Sequence, residues 1–264
     1  MRRLLLLLLA LVVIAVIAGV LLLRNSRDES TSVRAEDAAE LVGATSEDAQ
    51  VEPGLRPDPG TYEYVGGGSE SLSLLGGATR EFPERVTGVV QLDADDECAW
   101  SLGLVLVAEH VEDRRYCTTD AGTLDRGFDR TTEFLGREQT SSYECDDAAL
   151  RIRSEAKPGD TWSWTCTEAR GGRVRYTATY VGSEPIDLSG MSVDAAHVRI
   201  TARQRDKSTG NERSDWWLLA SGLPVRIRSD RSLTTDAGPL GELRTIEQFE
   251  YLLASLEPTP VDEG

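Results

Sequence analysis

Lysine is nearly absent from this chain: of 28 basic residues only Lys157 and Lys207 are lysine, and the others are arginine. Histidine is as scarce, with His110 and His197 alone. Basic residues are outnumbered by 45 Asp and Glu, which leaves a formal net charge of -17. A chain this acidic lacks the concentrated positive field that phosphate backbones require, so no nucleic-acid partner is expected. There is no Gly-x-Ser-x-Gly elbow, no His-Glu-x-x-His pair and no P-loop, so the common signatures of acyl hydrolysis, zinc proteolysis and nucleotide binding are missing. None of the four cysteines sits in a Cys-x-x-Cys pair, which argues against a zinc knuckle or a thioredoxin-like centre. No catalytic residue, cofactor or metal ligand is expected, and the chain reads as a non-enzyme.

What is present begins with an apolar run over 4–23. At 1.5 Å per residue it spans roughly 30 Å, the thickness of a bilayer core. A cleaved signal peptide is the alternative, but its apolar region is shorter, and here Val20-Leu21-Leu22-Leu23 continues past the small residues Ala18-Gly19. No cysteine follows the run, which excludes a lipoprotein anchor. The expectation is an uncleaved transmembrane helix with its flanks over 1–27. Arg2 and Arg3 are nearly matched by Arg24 and Arg27, so flanking charge does not set the orientation. The cysteines do: an even number of them favours disulfides in an oxidising compartment, with the N-terminus cytoplasmic and the bulk of the chain outside. Residues 28–57 are rich in Ser, Thr, Ala, Glu and Asp and read as a disordered acidic stalk.

From 58 to 264 the chain shows short runs of alternating polarity separated by turn signals. Strands are expected over 61–65, 85–92, 100–108, 114–119, 173–181, 193–204, 214–220 and 223–229, with a strand pair in 131–144. Gly66-Gly67-Gly68 is expected to end the first of them. The 100–108 strand is apolar on both faces, which predicts burial on both. The segment 243–256 is ambiguous: Leu243, Ile246, Phe249, Leu253 and Leu256 fit a helix, whereas an internal repeat reads it as strand. That repeat is carried by Pro59-Gly60-Thr61-Tyr62-Glu63-Tyr64 against Pro158-Gly159-Asp160-Thr161-Trp162-Ser163-Trp164, and by Thr118-Thr119-Asp120-Ala121-Gly122 against the identical stretch from Thr234 to Gly238. The fold class expected is mainly β: an antiparallel curved sheet, half-barrel or sandwich, built from two similar halves at about 58–150 and 157–258.

Spacing alone allows three pairings of Cys98, Cys117, Cys145 and Cys166. The midpoint between 145 and 166 falls in the loop 153–158, so an antiparallel pair around that loop would set Cys145 opposite Cys166. Cys98–Cys117 would then staple the first half, and each bridge would contribute about 3 kcal/mol.

His110 lies in a turn beside Glu109 and Glu112, and His197 on the polar face of a strand beside Arg199; both read as surface histidines. Asp93, Asp95 and Glu97 alternate like calcium ligands, but Cys98-Ala99-Trp100 follows where an EF-hand needs glycine, so a solvated turn is expected. Between Arg170 and Arg231 there are eleven basic and seven acidic residues, a local charge of +4 that leaves -21 elsewhere. On the predicted strands Arg173, Arg175, His197, Arg199, Arg203, Arg226 and Arg228 fall on alternate positions, a face suited to an anionic envelope component or lipid headgroups. The competing reading is cross-strand pairing with the chain's own acids. Trp100, Trp162, Trp164, Trp216 and Trp217 are candidates to line an apolar groove, or else belong to the core.

Gly60-Thr61-Tyr62-Glu63-Tyr64, Gly159-Asp160-Thr161-Trp162 and Trp216-Trp217 followed by Gly222-Leu223-Pro224-Val225 resemble poorly characterised, membrane-anchored extracytoplasmic β-domains of bacteria. The layout over 59–258 is also loosely similar to half-barrel lipid carriers of the LolA and LppX type. That resemblance implies a curved antiparallel sheet around an apolar cavity. The expected function is a binding or interaction module displayed on a membrane anchor, its ligand a lipid or other amphiphile or an anionic envelope component. The alternatives are a structural or assembly protein of the envelope, or a hydrolase with a cryptic site.

Overall fold

Alternating polarity runs almost unbroken from residue 60 to residue 253, and the chain answers it with strands. The computed structural model describes residues 33–44, 55–73, 77–134, 137–147, 149–169, 171–205, 208–236 and 241–260. A short helix, α1 (Ala35–Leu41), precedes β1 (Gly60–Leu72), β2 (Ala78–Phe82), β3 (Arg85–Leu92), β4 (Ala99–Val107), β5 (His110–Thr119), β6 (Gly122–Phe134) and β7 (Arg137–Cys145). There follow β8 (Leu150–Arg153), β9 (Thr161–Glu168), β10 (Arg173–Leu188), β11 (Met191–Arg205), β12 (Ser208–Leu218), β13 (Pro224–Asp236) and β14 (Glu242–Leu253).

These strands form one antiparallel sheet that closes on itself. Neighbours run β1-β3-β4-β5-β6-β7-β9-β10-β11-β12-β13-β14, and β14 pairs back onto β1 from Tyr64↔Leu253 to Leu72↔Thr245. With β2 and β8 as short additions beside β1 and β6, twelve of the fourteen strands make the barrel. The half-barrel or sandwich expected from the sequence is therefore corrected to a closed barrel, and the segment 243–256 is strand through Leu253 rather than helix. Closure rests on a contact between strands about 180 residues apart, which no local pattern reveals.

β1 continues through Gly66-Gly67-Gly68 instead of ending there. The glycines serve a close approach: a Cβ at Gly66 or Gly68 would overlap the β14 backbone at Glu250 and Gln248. β1 bends here, exchanging β3 for β2 along one edge while keeping β14 on the other.

Six barrel strands precede residue 150 and six follow residue 157. β1 opens the first set with Tyr62 and Tyr64 buried, and β9 opens the second with Trp162 and Trp164 buried. The identical pentapeptides, however, occupy different places. The first makes the β5–β6 turn and the second begins at the end of β13, so they sit at opposite ends of an up-and-down barrel.

Two further expectations meet the structure directly. β4 is buried on both faces because Leu102 and Leu104 point into the lumen while Val105 packs outward with Val89 and Val111 beneath α1. Ala38 and Ala39 of the helix are small enough to lie against this strand face, and Val42 sits over Gly103. Part of the expected stalk over 28–57 is thus ordered against the barrel. No helix among the described residues is long and apolar enough to cross a membrane; the run over 4–23 lies outside the described residues.

The disulfides are Cys98–Cys117 and Cys145–Cys166. The second joins directly opposed residues at the seam between β7 and β9, where only Tyr143, Glu144 and Cys145 pair with Glu168, Thr167 and Cys166. Removing it as Cys145→Ser/Cys166→Ser should lower stability by about 3 kcal/mol, a fall of roughly 6–12 °C in melting temperature for a domain of this size. Hydrogen exchange should accelerate locally over 143–145 and 166–168. Removal of Cys98–Cys117, which braces the longer β4–β5 ladder, should leave that seam unchanged.

Candidate interaction face and the charge network behind it

Inside the barrel, apolar positions alternate with charge. Arg231 lies in phase with the buried Val225 and Ile227, and Glu247 with the buried Phe249, Tyr251 and Leu253. His110, Glu112 and Arg114 share the inward face of β5 with Tyr116. The side chains connect across the lumen. Arg80 donates to Glu70 at 2.7 Å, and Nδ1 of His110 is 3.1 Å from the other oxygen of Glu70. Nε2 of His110 lies 3.4 Å from Glu247, which pairs with Arg231 at 3.2 Å. Arg231 also reaches Glu112 at 2.8 Å and Glu212 at 3.2 Å, and Arg130 and Arg114 complete the shell of Glu112. Arg114 leads to Asp125 at 3.8 Å, which accepts from Arg151 at 2.6 Å. Arg80, Arg114, Arg130, Arg151 and Arg231 are matched by Glu70, Glu112, Asp125, Glu212 and Glu247, so five cations meet five anions.

Burial alone would push the carboxyls of Glu70, Glu112 and Glu212 up, and the partners reverse it. Arg130, Arg114 and Arg231 hold Glu112 well below the usual range, and Arg231 leads the same effect on Glu212. On Glu70 the burial penalty is overcome by His110 and then Arg80. Asp113 shows the opposite case, its carboxyl raised chiefly by burial.

Glu70, His110 and Glu247 bring one ligand atom each within 4.8 Å of one another, the donor set of a divalent-cation site. The fit is poor on charge. Both carboxylates already accept guanidinium partners, Arg80 and Arg231, so an added ion would place two uncompensated charges in the lumen. The cluster reads as the ionic filling of the barrel. His110 is thus corrected from a surface histidine to one that is 1% exposed. Arg231 and Glu247 were findable, since each interrupts an apolar alternation in phase.

On the outside, the predicted arginine face divides in two. Toward the β12–β13 turn its members are neutralised at home. His197, though it points outward, is buried: its two ring nitrogens lie 2.7 Å from Glu184 and 2.8 Å from Asp215, and its ring stacks on Trp217 at 4.3 Å. Arg199 pairs with Asp215 at 2.9 Å, Arg226 donates to Glu250 at 2.9 Å, and Arg228 is 4.0 Å from the same carboxylate. The hydrogen bonds of Trp217 and His197 hold the Glu184 carboxyl low.

Toward the β9–β10 and β11–β12 turns the face is different. Arg173 lies directly opposite Arg205 and Arg175 directly opposite Arg203, all four exposed. Arg213, also exposed, extends the patch onto β12. Among the described residues none of these five arginines makes an ion pair. The outward positions directly beside Arg173, Arg175, Arg203 and Arg205 are Thr165, Thr167, Thr177, Thr201, Thr209 and Asn211; carboxylates stand further out, Glu144 opposite Thr167 and Asp230 opposite Arg213. Arg205 and Arg213 were not singled out from the sequence, although both continue its alternation. The same end of the sheet carries an open cleft of about 920 Å³, lined by Arg203, Arg205, Asn211, Ser232 and Arg244 among others.

The tryptophans form no open groove among the described residues; all five are buried. Trp164 stacks on Tyr176 at 5.1 Å, Trp100 donates to Thr118 at 2.9 Å and Trp162 donates to the Leu150 carbonyl. Trp216 lies under the Arg151 guanidinium at 4.5 Å, and Trp217 lies under that of Arg226 at 4.6 Å. The Asp93–Glu97 segment closes on itself, with Asp93 and Asp96 accepting from the amides of Asp95 and Cys98.

No family model matches this chain, and no curated protein matches it either. Among solved structures, the hypothetical lipoprotein YmcC from Escherichia coli K12 is similar over 85% of this chain and 100% of that one, at 12% identity and a TM-score of 0.35.

The network predicts a signed pH dependence. Glu70, Glu112 and Glu212 titrate lower folded than unfolded, so their stabilisation is present above about pH 4.3, the ordinary glutamate value, and is lost as pH falls through the folded values. Urea denaturation should show falling stability on acidification. Glu112→Gln should cost about 3–5 kcal/mol at neutral pH, since three guanidinium groups each lose one anionic partner, and should flatten the acid limb.

Proposed function

We propose that this protein is a non-enzymatic binding module that works outside the cytoplasm and engages an anionic component of the cell envelope through the outward face of β10–β12. The observation that carries the reading is the pair of like-charge contacts, Arg173 with Arg205 and Arg175 with Arg203. Like charges directly opposite one another on a sheet destabilise it. Arg199, Arg226 and Arg228 on the same sheet pair with the chain's own acids, and 45 acidic residues were available to do so here. A cost left standing in this way fits a surface completed by an external anion. Two disulfides support an oxidising compartment. In this reading the apolar run over 4–23 tethers the barrel to the membrane.

An amphiphile carried inside the barrel finds little support. The lumen is filled by the apolar cluster and the ion network, and the cavity beside Tyr176 and Arg231 measures about 10 Å³, room for one water at most. The hydrolase alternative is no better placed: His110 is sealed inside, and His197 has both ring nitrogens committed to carboxylates.

At neutral pH and low salt, a protein of net charge -17 should nonetheless be retained on immobilised heparin, oriented by this patch. Combining Arg173→Ser, Arg175→Ser, Arg203→Ser and Arg205→Ser should abolish retention without lowering the melting temperature. Flow-through of the wild type, or equal retention of the variant, would contradict the proposal.

A further inference from the structure

The arrangement of the four arginines specifies more than negative charge. Each cross-strand pair places two guanidinium forks on neighbouring strands, roughly 4.8 Å apart at the backbone, close enough to grip one oxyanion between them. Both forks are planar donors matched to phosphate oxygens. The Arg173/Arg205 and Arg175/Arg203 pairs are two residues apart along the strands, which is about 6.6–6.8 Å. A single small anion would satisfy one pair and leave the other unpartnered. Two pairs in line match a ligand whose oxyanions repeat at a similar distance along a chain. The cleft runs across the strands from the row of Arg205, with Arg244 and the hydroxyl of Ser232 on its far side; one carboxylate, Glu242, also borders it.

What surrounds the arginines narrows the chemistry. Threonine hydroxyls and the Asn211 amide supply further hydrogen bonds, whereas no aromatic residue occupies an outward position beside the quartet on which a nucleobase could stack. Among the described residues the exposed large apolar side chains are Leu41, Leu55, Val65, Val181 and Met191, and none lies in this patch, so the described patch has nothing to insert into a bilayer.

We infer that the paired arginines bind a linear phosphodiester polymer with a non-aromatic repeat, of the polyol-phosphate kind, with successive phosphates seated on successive arginine pairs. The inference rests on the preceding reading of this face as the binding surface and adds the ligand class and the register.

The test is fluorescence anisotropy of the full chain, in detergent, with a labelled glycerol-phosphate oligomer. Binding should weaken with salt with a log–log slope of about -1.4, as expected for two neutralised phosphates of a single chain. Removing one pair, as Arg175→Ser/Arg203→Ser, should weaken binding by at least about tenfold. The melting temperature should hold or rise, because a repulsive contact is lost. Removing the other pair should do the same, and the losses should multiply. Unlabelled oligomer should compete far better than inorganic phosphate, polyglutamate, single-stranded DNA or phosphatidylglycerol vesicles at equal charge. Full competition by inorganic phosphate would mean a single-oxyanion site and overturn the polymer register. Equal competition by polyglutamate, DNA or vesicles would overturn the phosphodiester assignment while leaving a general anion-binding face. Absence of binding to every anion tested would overturn both readings.

Discussion

Everything in this structure depends on a compensated seam. The barrel closes where β1 meets β14, and at that join Glu70 stands directly opposite Glu247, two buried anions facing each other. Left alone they would force the strands apart. Arg80 and Arg231 neutralise them, and His110 reaches in from β5 to lie between the two. The same Arg231 then ties β14 to Glu112 and Glu212, so the closing seam is linked across the lumen to β5 and along the wall to β12. Beside the apolar side chains of the twelve-stranded barrel, this ladder of salt bridges lies buried within the lumen. Such ladders give little net stability compared with apolar packing, but breaking one partner is costly, so they fix register strictly.

This filling also decides what the molecule can do. Arginine, glutamate and stacked aromatic rings project into the lumen, which shifts attention to the outer wall. There the sheet presents two kinds of arginine within a few residues of each other. Arg199, Arg226 and Arg228 have home partners, and Arg173, Arg175, Arg203 and Arg205 have none among the described residues. The contrast is informative because the chain is so acidic: carboxylates are abundant, yet threonine and asparagine occupy the outward positions directly beside these four arginines.

Much of this was legible in the sequence. Period-two alternation located most of the barrel strands, the loop at 153–158 gave the Cys145–Cys166 pair, and β4 announced its two buried faces through Leu102, Leu104 and Val105. The arginine rows on β10 and β11 were visible as alternate positions. Barrel closure was not, because nothing local in β1 or β14 names its partner. His110 was read in a turn because β5, expected from 114, begins at His110 itself, and its first residues are polar on both faces, His110, Glu112 and Arg114 on one and Asp113 and Arg115 on the other, so no alternation marked the strand's start. His197 was placed on the correct face but not under its cover, since Trp217 and Glu184 arrive from other parts of the sheet.

The most direct measurement of the central claim is an NMR titration of the arginine Nε–Hε signals with glycerol-phosphate oligomer. The account predicts shifts at Arg173, Arg175, Arg203 and Arg205, with the lumenal Arg114, Arg151 and Arg231 unchanged. Shifts confined to Arg199, Arg226 and Arg228, or absent at the paired arginines while binding occurs, would contradict it.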